Sequence, residues 1–193
     1  KRHTRNPEAY EFYLRGLFHF SRFTPDGFQK AIESFDRAIA IDPVNASAHS
    51  GLADACTEMS FFAFSANSEW MRKAREAAKK ALELDDTLAE AHNSLGIIKM
   101  YYDWDYAGAE EEFKRATALN PNSALIHNWY GWYLGLMGRF DESFKELERA
   151  LEFDPLSDTI NSAVGIILHW SRQPERAIEQ FRKVLELNPT YSL

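Results

Sequence analysis

The chain of 193 residues contains a single cysteine, Cys56, and no long run of apolar residues. One thiol can form neither an internal disulfide nor a thiolate metal cluster. No segment approaches the roughly 20 apolar residues of a membrane-spanning helix. Positive charge is also scarce, since 22 Lys and Arg against 29 Asp and Glu leave a net charge of −7. Nucleic-acid grooves need concentrated positive charge. The composition therefore predicts neither membrane insertion nor binding of nucleic acid by this chain.

The motifs of common catalytic and cofactor sites are missing too. The sequence has no glycine-rich phosphate loop, no nucleophile elbow and no His-Glu zinc motif. Acidic pairs such as Asp85-Asp86 fall in ordinary turn contexts. We therefore expect no enzymatic activity, no catalytic residue, no metal and no cofactor in this chain.

The two ends of the chain give expectations about its context. Lys1–Pro7 is basic, but no apolar stretch with a cleavage site follows it. We therefore expect a cytoplasmic location, or a periplasmic one if the parent protein has a membrane helix upstream. The chain does not begin with methionine, which indicates a fragment of a longer protein.

What the sequence does contain is a short phrase that recurs at a nearly constant spacing. Four copies end in Asp-Pro or Asn-Pro, and a degenerate copy ends in Asp-Asp; they occupy residues 38–43, 81–86, 116–121, 150–155 and 184–189. The starts of successive copies are 43, 35, 34 and 34 residues apart. A period of this length indicates an array of stacked repeats.

Each repeat also carries the apolar pattern of two helices. Ahead of the phrase, small and large apolar side chains alternate in steps of four and three, which places them on one helix face. These trios are Ala31, Phe35 and Ala38; Ala109, Phe113 and Ala116; Ser143, Leu147 and Ala150; and Ala177, Phe181 and Val184. An earlier helix is marked by an apolar residue followed by a small one, as in Leu95-Gly96 and Tyr130-Gly131. Each repeat is therefore predicted to be helix, turn, helix.

These offsets resemble the tetratricopeptide repeat (TPR), whose pattern is an aromatic, Leu-Gly, Tyr, then Ala, Phe, Ala and Pro. The resemblance covers nearly the whole chain. It implies an all-α, right-handed superhelical solenoid in one TPR domain, 1–193. The five predicted repeats are residues 9–45, 46–88, 89–123, 124–157 and 158–191.

A narrower resemblance concerns two segments, Asn6–Gly16 and Tyr101–Glu110. Both are similar to the TPR regions of large bacterial signalling and regulatory proteins. That resemblance implies a scaffold or sensor module that binds a peptide or partner protein. An alternative stays open: the repeats could recruit substrates for an enzyme, such as a glycosyltransferase, kinase or cyclase, whose catalytic domain is absent.

The resemblance also implies a binding surface, because the first helices of TPR arrays line a concave face. The side chains expected there are Tyr13, Leu17, Asn93, Ile97, Tyr101, Asn128, Trp132, His169 and Trp170. Asparagine offers a donor and an acceptor to a peptide backbone, and aromatic walls suit anchoring side chains. The alternative is that the aromatics only pack against each other or against a missing segment. Chaperone-binding TPR arrays carry Lys and Arg in this register, but Ser50 and Asp54 stand here, so we expect no carboxylate clamp.

Two other clusters have competing interpretations. His49, His92 and His127 occupy equivalent repeat positions, and imidazole is a common metal ligand. Stacked repeats would separate neighbouring equivalents by about 9–10 Å, so helix-contact histidines are favoured over a metal site. The basic face of Arg72, Arg75 and Lys79 could steer an acidic partner, but a solvated helix face is the favoured interpretation.

Two departures from regular repeats complete the expectations. The insertion Thr57–Glu69 contains Phe61, Phe62 and Phe64, which are too apolar to leave in water. It is predicted to lengthen the helices of the second repeat or to cover a groove edge. At the other end, no capping helix follows Asn188-Pro189, and solenoids need one. An apolar strip of Ile178, Phe181, Val184 and Leu185 is therefore expected to mediate self-association.

Overall fold

The computed structural model describes residues 6–62 and 67–189, and within them every regular element is a helix. The helices are α1 Pro7–Phe20, α2 Pro25–Ile41, α3 Ala46–Phe62, α4 Asn67–Leu84, α5 Ala89–Ile98, α6 Tyr106–Leu119, α7 Ala124–Leu136, α8 Phe140–Phe153, α9 Asp158–Trp170 and α10 Pro174–Leu187. Consecutive helices pack as five pairs. The predicted all-α repeat architecture is confirmed.

The recurring phrase ends the second helix of each pair, as predicted. α2 stops at Ile41, and the Asp42 N–H donates to the Ala38 carbonyl at 2.9 Å. The proline that follows cannot continue a helix. Several helix starts carry side-chain caps: the Asn6 carboxamide accepts from the N–H of Glu8 at 3.0 Å, and Ser123 Oγ accepts from the N–H of Ile126 at 3.4 Å. Such caps satisfy amides that otherwise lack partners at helix starts.

In the first, third, fourth and fifth pairs, a large side chain of the second helix meets a glycine of the first helix. A Cβ placed on Gly16 of α1 or Gly51 of α3 would lie 2.4 or 2.5 Å from the ring of Phe35, which is fully buried. In the third repeat, a Cβ on Gly96 would lie 2.8 Å from the Phe113 ring. The mid-helix glycines therefore serve close helix packing, as their recurrence predicts.

The insertion in the second repeat extends its helices. Thr57–Phe62 forms the last turns of α3, and residues 67–69 begin α4, so the predicted lengthening is confirmed for these segments. The Phe61 ring packs edge-on against Tyr101 at 5.4 Å between centroids. Phe64 lies outside the described residues.

The helices fall into two compact units. Unit 1, residues 1–119, contains α1 to α6, and unit 2, residues 120–193, contains α7 to α10. The prediction of one domain over 1–193 stays a prediction.

Within the described ranges, no helix combines the length and apolar character needed to span a bilayer.

The apolar strip of α10 is exposed in part. Ile178 and Leu185 are 52% and 51% exposed, whereas Val184 is buried and Phe181 is half-buried. Two of the four side chains are therefore more than half exposed. Self-association through this helix stays a prediction.

Candidate functional site on the first-helix faces

In each of the last four predicted repeats, the fifth position is occupied by a small polar side chain. In unit 1, Ser50 and Asn93 are 4% and 2% exposed; in unit 2, Asn128 and Ser162 are 6% and 3% exposed. In each of these four residues a buried side-chain oxygen has no hydrogen-bond partner. An unmade hydrogen bond at a buried polar atom costs about 1–3 kcal/mol. Such atoms are rare enough in native proteins to require an explanation.

The other predicted groove residues of unit 1 differ in their exposure. Tyr13 is half-buried beside the ring of Phe35, and Leu17 and Tyr101 are 40% and 37% exposed. Ile97 is 1% exposed. α5 packs against both α3 and α4, so Ile97 lies in the core and its side chain is not accessible to a partner in this structure.

Acidic residues gather on the same helices of unit 1. Asp54 accepts a hydrogen bond from Ser94 Oγ across α3 and α5. Burial raises the pKa of Asp54 well above its usual range, and the nearby carboxylates of Glu90 and Glu58 raise it further against the effect of Ser94. Glu90 and Asp54 also add to the effect of burial in raising the pKa of Tyr13. The repeat register places Asp54 and Glu58 on the first-helix face of α3, but it gives no signal for Glu90.

In unit 2 the predicted groove residues form an aromatic pair beside Asn128. The rings of Trp132 and Trp170 lie 5.2 Å apart between centroids, tilted by 56°. Trp132 is partly buried against the core cluster of Leu147, Ala163 and Ile167. Trp170 is 38% exposed and His169 is exposed. The α7 and α9 helices therefore present apolar aromatic surface next to a buried amide.

The histidines at the fourth position tie helices together, as the favoured interpretation expects. In His49, His92 and His127, Nε2 lies 3.0, 3.2 and 2.9 Å from a carbonyl oxygen of the preceding turn. Nδ1 of His92 lies 2.7 Å from Glu112 on α6, and Nδ1 of His127 lies 2.6 Å from Glu146 on α8. His92 and His127 therefore link the preceding turn to the second helix, and His49 contacts the preceding turn.

The same link recurs in the fifth repeat with different chemistry. The side-chain Nδ2 of Asn161 donates to the Pro155 carbonyl at 3.2 Å, and Gln180 Nε2 on α10 donates to Asn161 Oδ1 at 2.8 Å.

In the third repeat, Lys99 Nζ also binds Glu112 at 2.7 Å. Burial raises the pKa of Glu112, but the hydrogen bonds from His92 and Lys99 outweigh burial and hold this pKa below its usual value.

The protonation of His127 is expected to make the stability of unit 2 depend on pH. Both ring nitrogens face acceptors, and only the imidazolium can donate to both. The hydrogen bond to Glu146 is the main cause of the raised pKa of His127; burial opposes it and the Pro121 carbonyl adds to it. The unfolded chain has a histidine pKa of about 6.5, and the folded-state pKa of His127 lies above it. The stabilisation from the protonated ring is therefore fully present below about pH 6.5 and is lost as the pH rises through the folded-state pKa.

Urea unfolding measured at several pH values tests this. Between about pH 6 and pH 8, the unfolding free energy of the wild type should fall relative to that of Glu146→Gln. Glu148→Gln, an exposed change on the same helix, should follow the wild type. Parallel profiles for the wild type and Glu146→Gln would show that this contact does not control the titration.

The basic face of α4 is solvated, as favoured above. Arg72 is exposed and pairs with Glu76 at 2.7 Å, and Arg75 pairs with Asp103 at 2.5 Å. Lys79 is exposed. The exposed Arg72–Glu76 pair contributes little to stability, whereas the Arg75–Asp103 pair is partly buried.

Comparisons with known proteins identify the type of repeat. Residues 102–158 match the family model of the tetratricopeptide repeat. The transcriptional regulator HilA of Salmonella typhimurium is 30% identical over 158 residues, which cover 82% of this chain and 28% of the regulator. The chain therefore spans little more than a quarter of the length of that curated relative.

Solved structures agree in fold. The thermophilic TPR protein TTC0263 of Thermus thermophilus superposes with a TM-score of 0.73 at 19% identity, covering 94% of this chain and 92% of that one. YrrB, described as a TPR protein with an unusual peptide-binding site, superposes with a TM-score of 0.57 at 20% identity, covering 95% of this chain and 88% of that one. Together with the five helix pairs and the repeating phrase, these matches show that this chain is a tetratricopeptide repeat protein.

Proposed function

We propose that this chain is a protein-binding module that holds an extended peptide segment of its partner on the first-helix face of one of its units. The observation that carries the proposal is the set of four fifth-position oxygens, in Ser50, Asn93, Asn128 and Ser162, each buried and without a hydrogen-bond partner. A peptide main chain supplies N–H donors at regular intervals. Pairing with them would remove the cost of leaving these oxygens unsatisfied.

The side chains at these positions can turn to meet such donors. The carboxamide of asparagine has two broad orientations about χ2, and the serine hydroxyl moves between staggered positions about χ1. We expect binding to require these side chains to rotate toward the peptide. In unit 2, Trp132 and Trp170 beside Asn128 supply an apolar surface for a side chain of the peptide.

The wider role follows the similarity to HilA. We infer a scaffold or sensor function within a bacterial regulatory protein, because the matched relative is a transcriptional regulator and most of its length lies outside the match. The peptide-binding site ascribed to YrrB supports the kind of ligand. The cytoplasmic location expected from the sequence stays a prediction.

Asparagine-to-alanine substitutions test the peptide model. Short random peptides displayed on phage would be selected against the chain, and the affinity of one selected peptide measured by fluorescence anisotropy. Asn93→Ala or Asn128→Ala, whichever lies in the unit that the peptide contacts, should weaken binding by about 1 kcal/mol, or roughly fivefold. The free energy of unfolding should not fall by a similar amount, because each substitution removes a buried oxygen that has no hydrogen-bond partner.

Asn122→Ala is the matched control, because Asn122 is exposed in a turn. It should leave both binding and stability unchanged. If neither Asn93→Ala nor Asn128→Ala alters the affinity of any selected peptide, the first-helix faces are not the binding surface.

A further inference from the structure

The second helices of three repeats carry apolar side chains at two equivalent positions, one residue after the first and one after the last member of each trio. These are Ile32 and Ile39 in α2, Phe144 and Leu151 in α8, and Ile178 and Leu185 in α10. Ile32 is 2% exposed and belongs to the core cluster that contains Leu52 of α3. Phe144 packs against the cluster that contains Ile167 of α9. The next first helix therefore packs on these positions in α2 and α8, whereas in α10 both are about half exposed.

The first helix of this chain is not suited to cover the exposed side of α10 in another copy. In α3, the positions that precede Ala53 by five residues and by one are Ala48 and Leu52, which are 0% and 5% exposed. The equivalent residues of α1, counted from Gly16, are Glu11 and Arg15. Their side chains are exposed and form an ion pair at 2.6 Å. Covering such a pair with an apolar surface would remove its hydration, so head-to-tail stacking of copies is unfavourable.

The exposed side of α10 is instead complementary to itself. Pro174, Ile178, Phe181 and Leu185 follow one another at spacings of four, three and four residues, which places them in one row along the helix. Pro174, Ile178 and Leu185 are exposed, and Phe181 is half-buried. Reversing the direction of the helix leaves these spacings unchanged. Two antiparallel copies of α10 can therefore place Ile178 of each copy beside Phe181 of the other.

Two exposed charges of opposite sign lie along one side of this row. Glu175 follows Pro174 by one residue, and Arg182 follows Phe181 by one residue. Because they are seven residues apart, both lie on the same side of the helix. In an antiparallel pair, Glu175 of each copy would meet Arg182 of the other, which gives two ion pairs. In a parallel pair the same side chains would lie on opposite sides of the interface, so only the antiparallel arrangement is electrostatically complementary.

We propose that α10 of one copy packs antiparallel against α10 of a second copy, with Ile178, Phe181 and Leu185 at the centre and Glu175 paired with Arg182 along one side. The partner that this surface fits is thus a second copy of the chain. Peptide binding is assigned to the first helices, so the two proposals stand independently of each other.

The size of the surface sets the strength of the pairing. α10 has 14 residues, which corresponds to a length of about 21 Å. One helix pair of this length buries less surface than the roughly 1,600 Å² of a standard stable interface. We therefore expect a reversible dimer with a dissociation constant between about 1 µM and 1 mM.

Sedimentation velocity of the chain over this concentration range tests the proposal. The charge variants are Glu175→Lys, Arg182→Glu and the double variant Glu175→Lys/Arg182→Glu. The apolar variant is Ile178→Gln, and its matched control is Leu156→Gln, because Leu156 is 71% exposed in the same unit but lies outside α10. Circular dichroism would verify that every variant keeps native helicity.

We expect Glu175→Lys and Arg182→Glu each to weaken dimerisation about tenfold, because each brings like charges together across the interface. The double variant should dimerise like the wild type, since its two ion pairs are restored with reversed signs. An equimolar mixture of the two single variants should form a heterodimer that neither variant forms alone at the same concentration. Ile178→Gln should weaken dimerisation tenfold or more, whereas Leu156→Gln should not change it.

A wild type that stays monomeric up to about 1 mM would overturn the proposal, and the α10 surface would then belong to a different partner. Assemblies that grow beyond a dimer would indicate head-to-tail stacking instead. A dimer that the single charge variants leave unchanged, or that the double variant fails to restore, would show that the copies do not meet through antiparallel α10 helices.

Discussion

Replacing Phe35 with alanine is expected to lower the free energy of unfolding of unit 1 by about 3–5 kcal/mol. The ring is fully buried between α1 and α3, where Gly16 and Gly51 leave just enough room for it. Alanine would leave a cavity that two helices in close backbone contact cannot easily collapse to fill. Urea unfolding followed by circular dichroism would measure the loss as a shift of the midpoint.

Phe18→Ala is the matched control for this substitution. Phe18 lies on α1 of the same unit but is 65% exposed, so its removal should change stability by no more than about 0.5 kcal/mol. Equal effects of Phe18→Ala and Phe35→Ala would mean that the repeat core does not depend on the contact between Phe35 and the two glycines.

Replacing Trp132 with alanine is expected to weaken binding of a peptide that contacts unit 2 by about 2 kcal/mol or more, or roughly 30-fold. The indole lies beside Trp170 and next to the turn of α7 that carries Asn128, which is the position of an anchoring aromatic. Helicity should persist, because alanine favours helix. Trp132 also packs on Leu147 and Ile167, so unfolding must be measured beside affinity.

Trp104→Ala provides the comparison, since Trp104 is 72% exposed and belongs to unit 1. It should leave the affinity of such a peptide unchanged. If Trp132→Ala lowered the free energy of unfolding but the fully folded variant bound the peptide with unchanged affinity, Trp132 would be a core residue only.

The helices and their ends could be predicted from the sequence because local chemistry determines them. Proline after Asp42 ends α2, an effect of a few neighbouring residues. The recurrence of glycine at positions such as 96 indicates where another helix packs closely. Lengthening of α3 through Phe62 followed from the apolar character of the insertion. The repeat register then located the fifth-position side chains correctly on the first helices.

The accessibility of site residues could not be predicted, since it depends on packing between helices. Ile97 has the same register as Leu17, yet Ile97 is in the core and Leu17 is 40% exposed. Tyr101 lies in a π-helical turn, Lys99–Asp103, that ends at Trp104 in the left-handed region with φ 57°. Such a turn has no simple sequence signature and changes the direction of the side chains that follow.

The acidic face of unit 1 was missed for a related reason. Asp54 and Glu90 are 36 positions apart in the sequence, and their proximity depends on how α3 and α5 pack. The repeat register places Asp54 and Glu58 on the first-helix face but not Glu90, which precedes the fifth position by three residues. Only the folded arrangement shows that they act on each other.

The most direct measurement of the central claim is a crystal structure of the chain with a selected peptide. We predict that the peptide lies extended along first helices, with a main-chain N–H about 3 Å from Oδ1 of Asn93 or Asn128. A peptide bound to the second helices, with both asparagine oxygens still unpaired, would contradict the account.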